Sequence, residues 1–172
     1  MSTPGLPPPY LPHALDHVAI RMNSRYSTQE ASSLKTYDPK LVIVVVGGVL
    51  MSGFAEGSLV KVERNTDTYK LVIGTDGEGT RSRTNDRSGK ITISLMQTSL
   101  SNAVLSGFAQ LDEVANAGVV PVTITDLNGA SIYHADNAWV MKPPAGEYAK
   151  DAKDRQWVLE TDRLDWFEGG NI

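Results

Sequence analysis

The stretch Tyr37–Asn65 reads YDPKLVIVVVGGVLMSGFAEGSLVKVERN; its unbroken apolar run, Leu41 to Val46, stops at Gly47-Gly48. β-Branched side chains in a short run suit a pleated surface, because in a helix they lose rotamer freedom against the preceding turn. Two adjacent glycines reach the positive φ that a tight hairpin needs. A second apolar piece, the Gly53-Phe54-Ala55-Glu56-Gly57 break and the strand-like Leu59–Glu63 complete the stretch. It predicts consecutive β-strands joined by glycine turns.

Alternation of period two continues beyond it. Tyr69, Leu71 and Ile73 alternate with Lys70 and Val72, and Asp76-Gly77 marks a turn. Ile91, Ile93 and Leu95 face one way, with Lys90, Thr92 and Ser94 facing the other, the clearest alternation in the chain. That pattern is expected of a strand with one buried and one wetted face. Val120, Val122 and Ile124 repeat it against Thr123 and Thr125. Asn128-Gly129 then reads as a hairpin turn into Ser131–Tyr133, and further strands are expected over Ala138–Met141 and Arg155–Thr161. One segment has a different period: Val104, Leu105, Phe108, Leu111 and Ala115 recur at helical spacing across Ser101–Ala117. Ser101 or Asn102 is the expected N-cap, and Gly118 the expected left-handed C-terminal residue. One helix among about eight strands predicts a mainly β (α+β) fold, a two-sheet sandwich or barrel with one packed α-helix.

The first 35 residues differ. Pro4, Pro7, Pro8, Pro9 and Pro12 cluster there, and Ser24–Lys35 is polar. Proline lacks the backbone donor and favours extended, solvated chain, so 1–35 is expected to be a flexible arm, with a short helix possible over Ala14–Met22. The remainder, 36–172, is expected to be a single β-domain. The chain has 172 residues, no cysteine, and a net charge of −4 with pI ≈ 5.3. Without cysteine there is no disulfide, thiolate ligand or thiol nucleophile, which suits a reducing cytoplasm. The acidic balance argues against general nucleic-acid binding, which needs clustered cations. No apolar stretch approaches the ~20 residues of a membrane span, and no signal peptide is evident. A soluble intracellular product, with no membrane insertion, is expected.

Reactive chemistry is hard to assemble from these residues. His13 and His17 are spaced i, i+4, but they lie in the proline-rich arm with only Asp16 nearby, so a solvated surface accounts for them. His134 stands near Asp136 without a nucleophile elbow. Gly74-Thr75-Asp76-Gly77-Glu78-Gly79 lacks the Gly-Lys-Ser/Thr ending of a phosphate loop and the oxygen-ligand spacing of a calcium loop. No catalytic, metal or cofactor site is expected. Arg81, Arg83, Arg87 and Lys90 make a positive run interrupted by Asp86. It lacks the interleaved aromatics of a single-strand binder, and an exposed hairpin or loop accounts for it; arginine's planar fork otherwise suits protein carboxylates. Trp139, Trp157 and the pair Trp166-Phe167 are expected in the core or in an interface.

Several ordered blocks carry a resemblance: the Tyr37–Asn65 stretch, Asn85-Asp86-Arg87-Ser88-Gly89 leading into Ile91–Leu95, Gln97-Thr98-Ser99, and Pro121–Leu127. Asn137-Ala138-Trp139 with Lys142-Pro143-Pro144, Arg155–Glu160 and Phe167-Glu168-Gly169-Gly170-Asn171 complete them. Over roughly Thr36–Ile172 the chain resembles the tail tube (inner tube) proteins of contractile-tailed bacteriophages and their prophages. The resemblance implies a non-enzymatic structural subunit of the virion tail, assembled in the host bacterial cytoplasm. It implies homohexameric rings, stacked into a tube inside a contractile sheath, that conduct DNA during genome ejection. The implied partners are copies of itself and the sheath, baseplate and tape-measure proteins; DNA passes without specific binding. Another tail component of the same fold (a tail terminator or baseplate-hub adaptor), or the tube of a contractile bacteriocin or type VI-like secretion system, remains open. In this family a long loop reaches the adjacent subunit or ring. Arg81, Arg83, Asp86 and Arg87 within Gly79–Gly89 are the candidates for that contact. If subunits join edge to edge, Thr92, Ser94, Thr123 and Thr125 would form a polar wall facing the lumen. Members usually begin near Tyr37, so the arm is an addition: a tail without function, an assembly arm, or translation from an upstream start with Met22 as the internal candidate.

Overall fold

Among the described residues ten strands and one α-helix form, where the sequence predicts about eight strands. Gly79–Arg83 and Asp165–Phe167 are additional, and the expected Ser131–Tyr133 and Ala138–Met141 fall in one strand, Ile132–Lys142. Burial separates a packed body from one projecting hairpin. The computed structural model describes residues 34–170, and Thr36–Ile172 forms one compact unit. The expected helix over Ala14–Met22, the arm around it, and His13 and His17 lie outside the described residues. A 3-10 turn, Pro39–Leu41, opens the body with Asp38 as its cap: the Asp38 carboxylate accepts from the Lys40 amide at 2.9 Å.

The strands are β1 (Val42–Val46), β2 (Val49–Leu50), β3 (Val60–Arg64), β4 (Tyr69–Ile73), β5 (Gly79–Arg83) and β6 (Gly89–Leu95), followed by α1 (Ser101–Ala115). Then come β7 (Val120–Asp126), β8 (Ile132–Lys142), β9 (Arg155–Thr161) and β10 (Asp165–Phe167). Eight strands form one antiparallel sheet in the order β2-β1-β7-β8-β9-β6-β3, with β10 beside the start of β8. β4 and β5 pair only with each other. Val42 of β1 and Val60 and Val62 of β3 line a common hollow of about 340 Å³, so the large sheet curls its ends together without pairing them.

Gly47 and Gly48 stand at φ 57° and 79° between the pairs Val46–Val49 and Val45–Leu50, the two-residue hairpin the sequence predicts. Val44, Val46, Ile91, Ile93, Leu95, Val122, Ile124 and Leu159 point to the inner face, and Leu105 of α1 closes over them, all at most 2% exposed. Burying each such side chain stabilises the fold by roughly 1.5–3 kcal/mol. Trp157 joins this core, its indole N–H donating to Asn102 Oδ1 on α1 at 2.9 Å. Only the first half of α1 packs. Leu111 and Val114 are exposed, so the apolar stripe outruns the core beneath it.

Three local details depart from the sequence reading. The helix is preceded by Leu100 with no side-chain cap bond at that position; Ser99 Oγ, one residue earlier, accepts from the Ser101 amide at 3.2 Å. At the other end Asn116 (φ 51°), not Gly118, takes the left-handed conformation. Gly118 is needed for space: a Cβ there would collide with Asp112 and with the Phe108 carbonyl. The Asn128-Gly129 connection is also no two-residue turn. The last pair is Thr125–Ile132, Gly129 is not at positive φ, and Asn128 bonds elsewhere.

Candidate assembly surfaces

The β4–β5 hairpin leaves the body between Asn65 and Ser88, whose backbones are joined at 3.2 Å. All of its strand residues are exposed, including Tyr69 (45%), Leu71 (65%), Val72 (51%) and Ile73 (58%). The period-two pattern of β4 is thus real, but nothing in the described chain covers it. Gly74–Gly79 is the hairpin's tip; Gly77 (φ 87°) donates its amide to the Gly74 carbonyl at 3.0 Å. Arg81 lies 3.4 Å from the centre of the Tyr69 ring across the hairpin, a stack that stiffens it.

At the base, Arg87 pairs with Asp165 at 3.0 Å, and Arg163 meets the other oxygen of the same carboxylate at 2.8 Å. Asp86 Oδ1 accepts from the Ser88 amide at 2.9 Å, and the Ser88 hydrogen bonds hold its carboxyl below the usual range. The arginines expected to act together therefore divide. Arg81 is on the hairpin, Arg87 is tied into the body, and Arg83 makes no ion pair among the described residues. The expected loop over Gly79–Gly89 is half strand.

The outer face of the sheet is less uniform than the predicted wall. Cross-strand register sets Ile43, Thr125, Ile132 and Phe167 in one row, and Leu50, Val45, Thr123, His134 and Asp165 in the next. Ile132, Leu50 and Phe167 are 44%, 61% and 59% exposed. Thr125 thus lies half-buried between Ile43 and Ile132, and the half-buried Thr123 between Val45 and His134. Across the sheet Thr92 stands between Lys61 and Val158, beside a charged row of Glu63, Lys90 and Glu160. Lys61 bonds Glu63 at 2.8 Å and holds that carboxyl below its ordinary value. Ser94, expected on the wetted face, is buried, and its backbone pairs with Leu59 and Ala55.

His134 joins a surface chain: its Nδ1 is 3.0 Å from the Thr123 hydroxyl and its Nε2 is 2.9 Å from Asp136. The order resembles a nucleophile–base–acid relay, but Thr123 sits within a regular strand and not on the strained turn that activates such a hydroxyl. Among the described residues no group of three or more His, Cys, Asp or Glu is placed to hold a metal, and no helix is long and apolar enough to cross a membrane.

Two anchors were not visible in the sequence. The Asn128 side chain accepts from the Asp38 amide and donates to the Asp38 carbonyl, both at 2.9 Å, fixing the entry to β1. Arg155, 9% exposed, donates to the carbonyls of Ala145 (2.6 Å) and Glu147 (3.1 Å) beneath Tyr148, holding the loop after β8 on the body. Trp166, expected in core or interface, is 47% exposed and lies 4.7 Å from the Arg64 guanidinium.

Among solved structures, the chain is similar to the tube-terminating cap of the anti-feeding prophage, with TM-score 0.57 and 12% identity. That match covers 84% of this chain and 99% of the cap protein. It is also similar to a chain of the sheath–tube complex of an extracellular contractile injection system in its extended state, with TM-score 0.54 and 15% identity. Here the coverage is 85% of this chain and 99% of the other. These likenesses establish the fold. In sequence it is 32% identical over 149 residues to Structural protein ORF10 of Pseudomonas phage KPP10, spanning 82% of this chain and 86% of that protein. Residues 36–169 match the family of the bacteriophage PhiTE tail tube protein, and the chain belongs to that family of phage tail structural proteins.

Proposed function

We propose that this protein is the tail tube subunit of a contractile-tailed phage, closing into hexameric rings whose stack conducts DNA during genome ejection. The observation that carries this reading is the β4–β5 hairpin. A lone two-stranded hairpin is marginal in water, and this one presents Tyr69, Leu71, Val72 and Ile73 to solvent. A second copy is the cover that a tube supplies. The short edge strand β2 and the partly exposed β3 are open margins that ring closure would pair or shield.

Arg81 and Arg83 serve the contact between subunits; Asp86 and Arg87 hold the base from which it projects. Thr92, Thr123 and Thr125 are the remaining lumen candidates, since Ser94 is buried. Beside Thr92 the cations Lys61 and Lys90 are matched by Glu63 and Glu160, so the bore offers a polyanion few uncompensated cations on which to exchange counterions, and DNA slides without specific binding. The role is structural and not enzymatic, the place is the virion tail, and a sheath, a baseplate and a tape-measure protein are the partners. Residues 1–35 act as an arm in assembly.

Negative-stain microscopy of the purified protein decides between outcomes. Long tubes of stacked rings support the reading; isolated rings that never stack favour a terminator or hub adaptor. A protein that stays monomeric at high concentration overturns it. Arg81→Glu with Arg83→Glu should abolish tubes while leaving the monomer folded, and unaltered tubes would remove these arginines from the contact.

A further inference from the structure

At the foot of the hairpin lies a hollow of about 170 Å³ walled by Arg64, Arg83, Arg87, Thr84, Asn85 and Trp166. Its charge is lopsided. Arg64, Arg83 and Arg87 line it and no carboxylate does, on a chain whose net charge is −4; Arg87 pairs with Asp165 just outside, and Asp86 lies close to Arg64. Hydrogen bonding is incomplete as well. One Arg64 Nη donates to the Leu164 carbonyl at 2.8 Å, but its buried Nε finds no acceptor among the described residues. Arg83 has no ion-pair partner there either. Buried donors are nearly always satisfied, so the Arg64 guanidinium that walls the hollow is incompletely matched within the described residues. The Trp166 ring, packed on Arg64, shields one side from water and strengthens any charge pairing inside.

We infer that this hollow is a binding site for a single oxyanion. Guanidinium forks match the two-oxygen edge of a carboxylate or phosphate, and Thr84 and Asn85 add neutral donors. The volume is below the roughly 300 Å³ at which pockets for drug-sized ligands begin, which selects one small group over a nucleotide. Position gives the site its consequence. Thr84 donates its amide to the Thr68 carbonyl at 3.0 Å, closing the hairpin's base, while Arg64 belongs to β3. An anion held by Arg64 and Arg83 therefore ties the projecting hairpin to the body and fixes its direction. The ligand is either an acidic side chain of a second copy or free phosphate, and the chemistry is common to both.

The test is a titration of the full-length protein with inorganic phosphate, and separately acetate, below any concentration at which it assembles. Sodium chloride at equal ionic strength is the control. The readouts are the indole N–H resonance of Trp166 and amide exchange over residues 68–85. The site predicts a saturable shift of that resonance and slower exchange, with Arg83→Gln weakening the midpoint at least tenfold and Arg83→Lys restoring part of it. An identical response to chloride, or an unchanged midpoint in Arg83→Gln, overturns the proposal. If phosphate raises the concentration needed for assembly in step with occupancy, a second copy's carboxylate is the native ligand; if assembly is indifferent, the free anion is. Because binding is read on unassembled protein, failure to form tubes would leave this result standing.

Discussion

Replacing Leu71 and Ile73 together by threonine should separate folding from assembly. Threonine keeps the β-branch of isoleucine and a good strand propensity, so the hairpin's backbone preference survives. In the isolated chain these side chains are already 65% and 58% exposed, and little burial is lost there. The monomer should melt within about 3 °C of the parent, the shift expected for a loss near 0.5 kcal/mol. Assembly is a different matter. Full burial of Leu or Ile stabilises by roughly 1.5–3 kcal/mol, and somewhat over half of that remains to be gained by each residue in a neighbour's contact. Allowing for the methyl that threonine retains, the pair should cost about 2–3 kcal/mol per contact. At 1.4 kcal/mol per factor of ten, the concentration at which tubes pellet in an ultracentrifuge should rise roughly 30- to 140-fold. An unchanged pelleting threshold would refute the argument that the hairpin is covered by another copy. A melting point lowered by ten degrees or more would refute it differently, by showing that these residues are buried against their own body.

Leu105→Ala should destabilise the monomer by about 2–5 kcal/mol in chemical denaturation, because Leu105 is fully buried where α1 meets the sheet and the cavity cannot drain to solvent. Asn128→Ala removes both hydrogen bonds to Asp38 at an exposed site, so about 1 kcal/mol should be lost, with faster amide exchange at Asp38 and little change in the core. Asp86 gives a pH prediction. Its folded pKa is lowered by the Ser88 hydrogen bonds, so its contribution is fully present above the ordinary carboxylate range and disappears as pH falls through the lowered value. Ser88 amide protection, corrected for intrinsic exchange, should be flat from neutral pH to about pH 5 and fall only in stronger acid; a loss near neutrality would mean another group holds that amide.

The body of the fold was legible because its local signals agree. Val42–Val46 with two glycines, the Ile91–Leu95 alternation and the helical spacing from Val104 to Ala115 each specify an element without help from distant residues, and each element is present. What failed was chemistry with two solutions. Asn-Gly can make a two-residue turn, but the Asn128 amide gains a bidentate bond to Asp38, ninety residues away, that no local rule contains. Gly118 can cap a helix by conformation, yet Asn116 does so, and Gly118 is kept for the missing Cβ. Arg155 looked like the first residue of an ordinary strand. Only the loop folding back over it turns its guanidinium into an anchor for two carbonyls.

The assembly surfaces show the same limit from the other side. Tyr69-Leu71-Ile73 and Ile91-Ile93-Leu95 have one period and similar composition, yet the second set is at most 1% exposed and Leu71 and Ile73 are more than half exposed. Alternation records that a strand has an apolar face; it does not record what covers that face. Nor does it give the neighbours across a sheet, which depend on register. Thr125 reads as part of a polar wall along its own strand, but stands between Ile43 and Ile132 once β1 and β8 are paired to it. An amphipathic strand with no cover in its own chain is therefore more informative than a buried one. The cost of ordering it has to be met by contacts made elsewhere, and the proposed tube would meet it with a second copy.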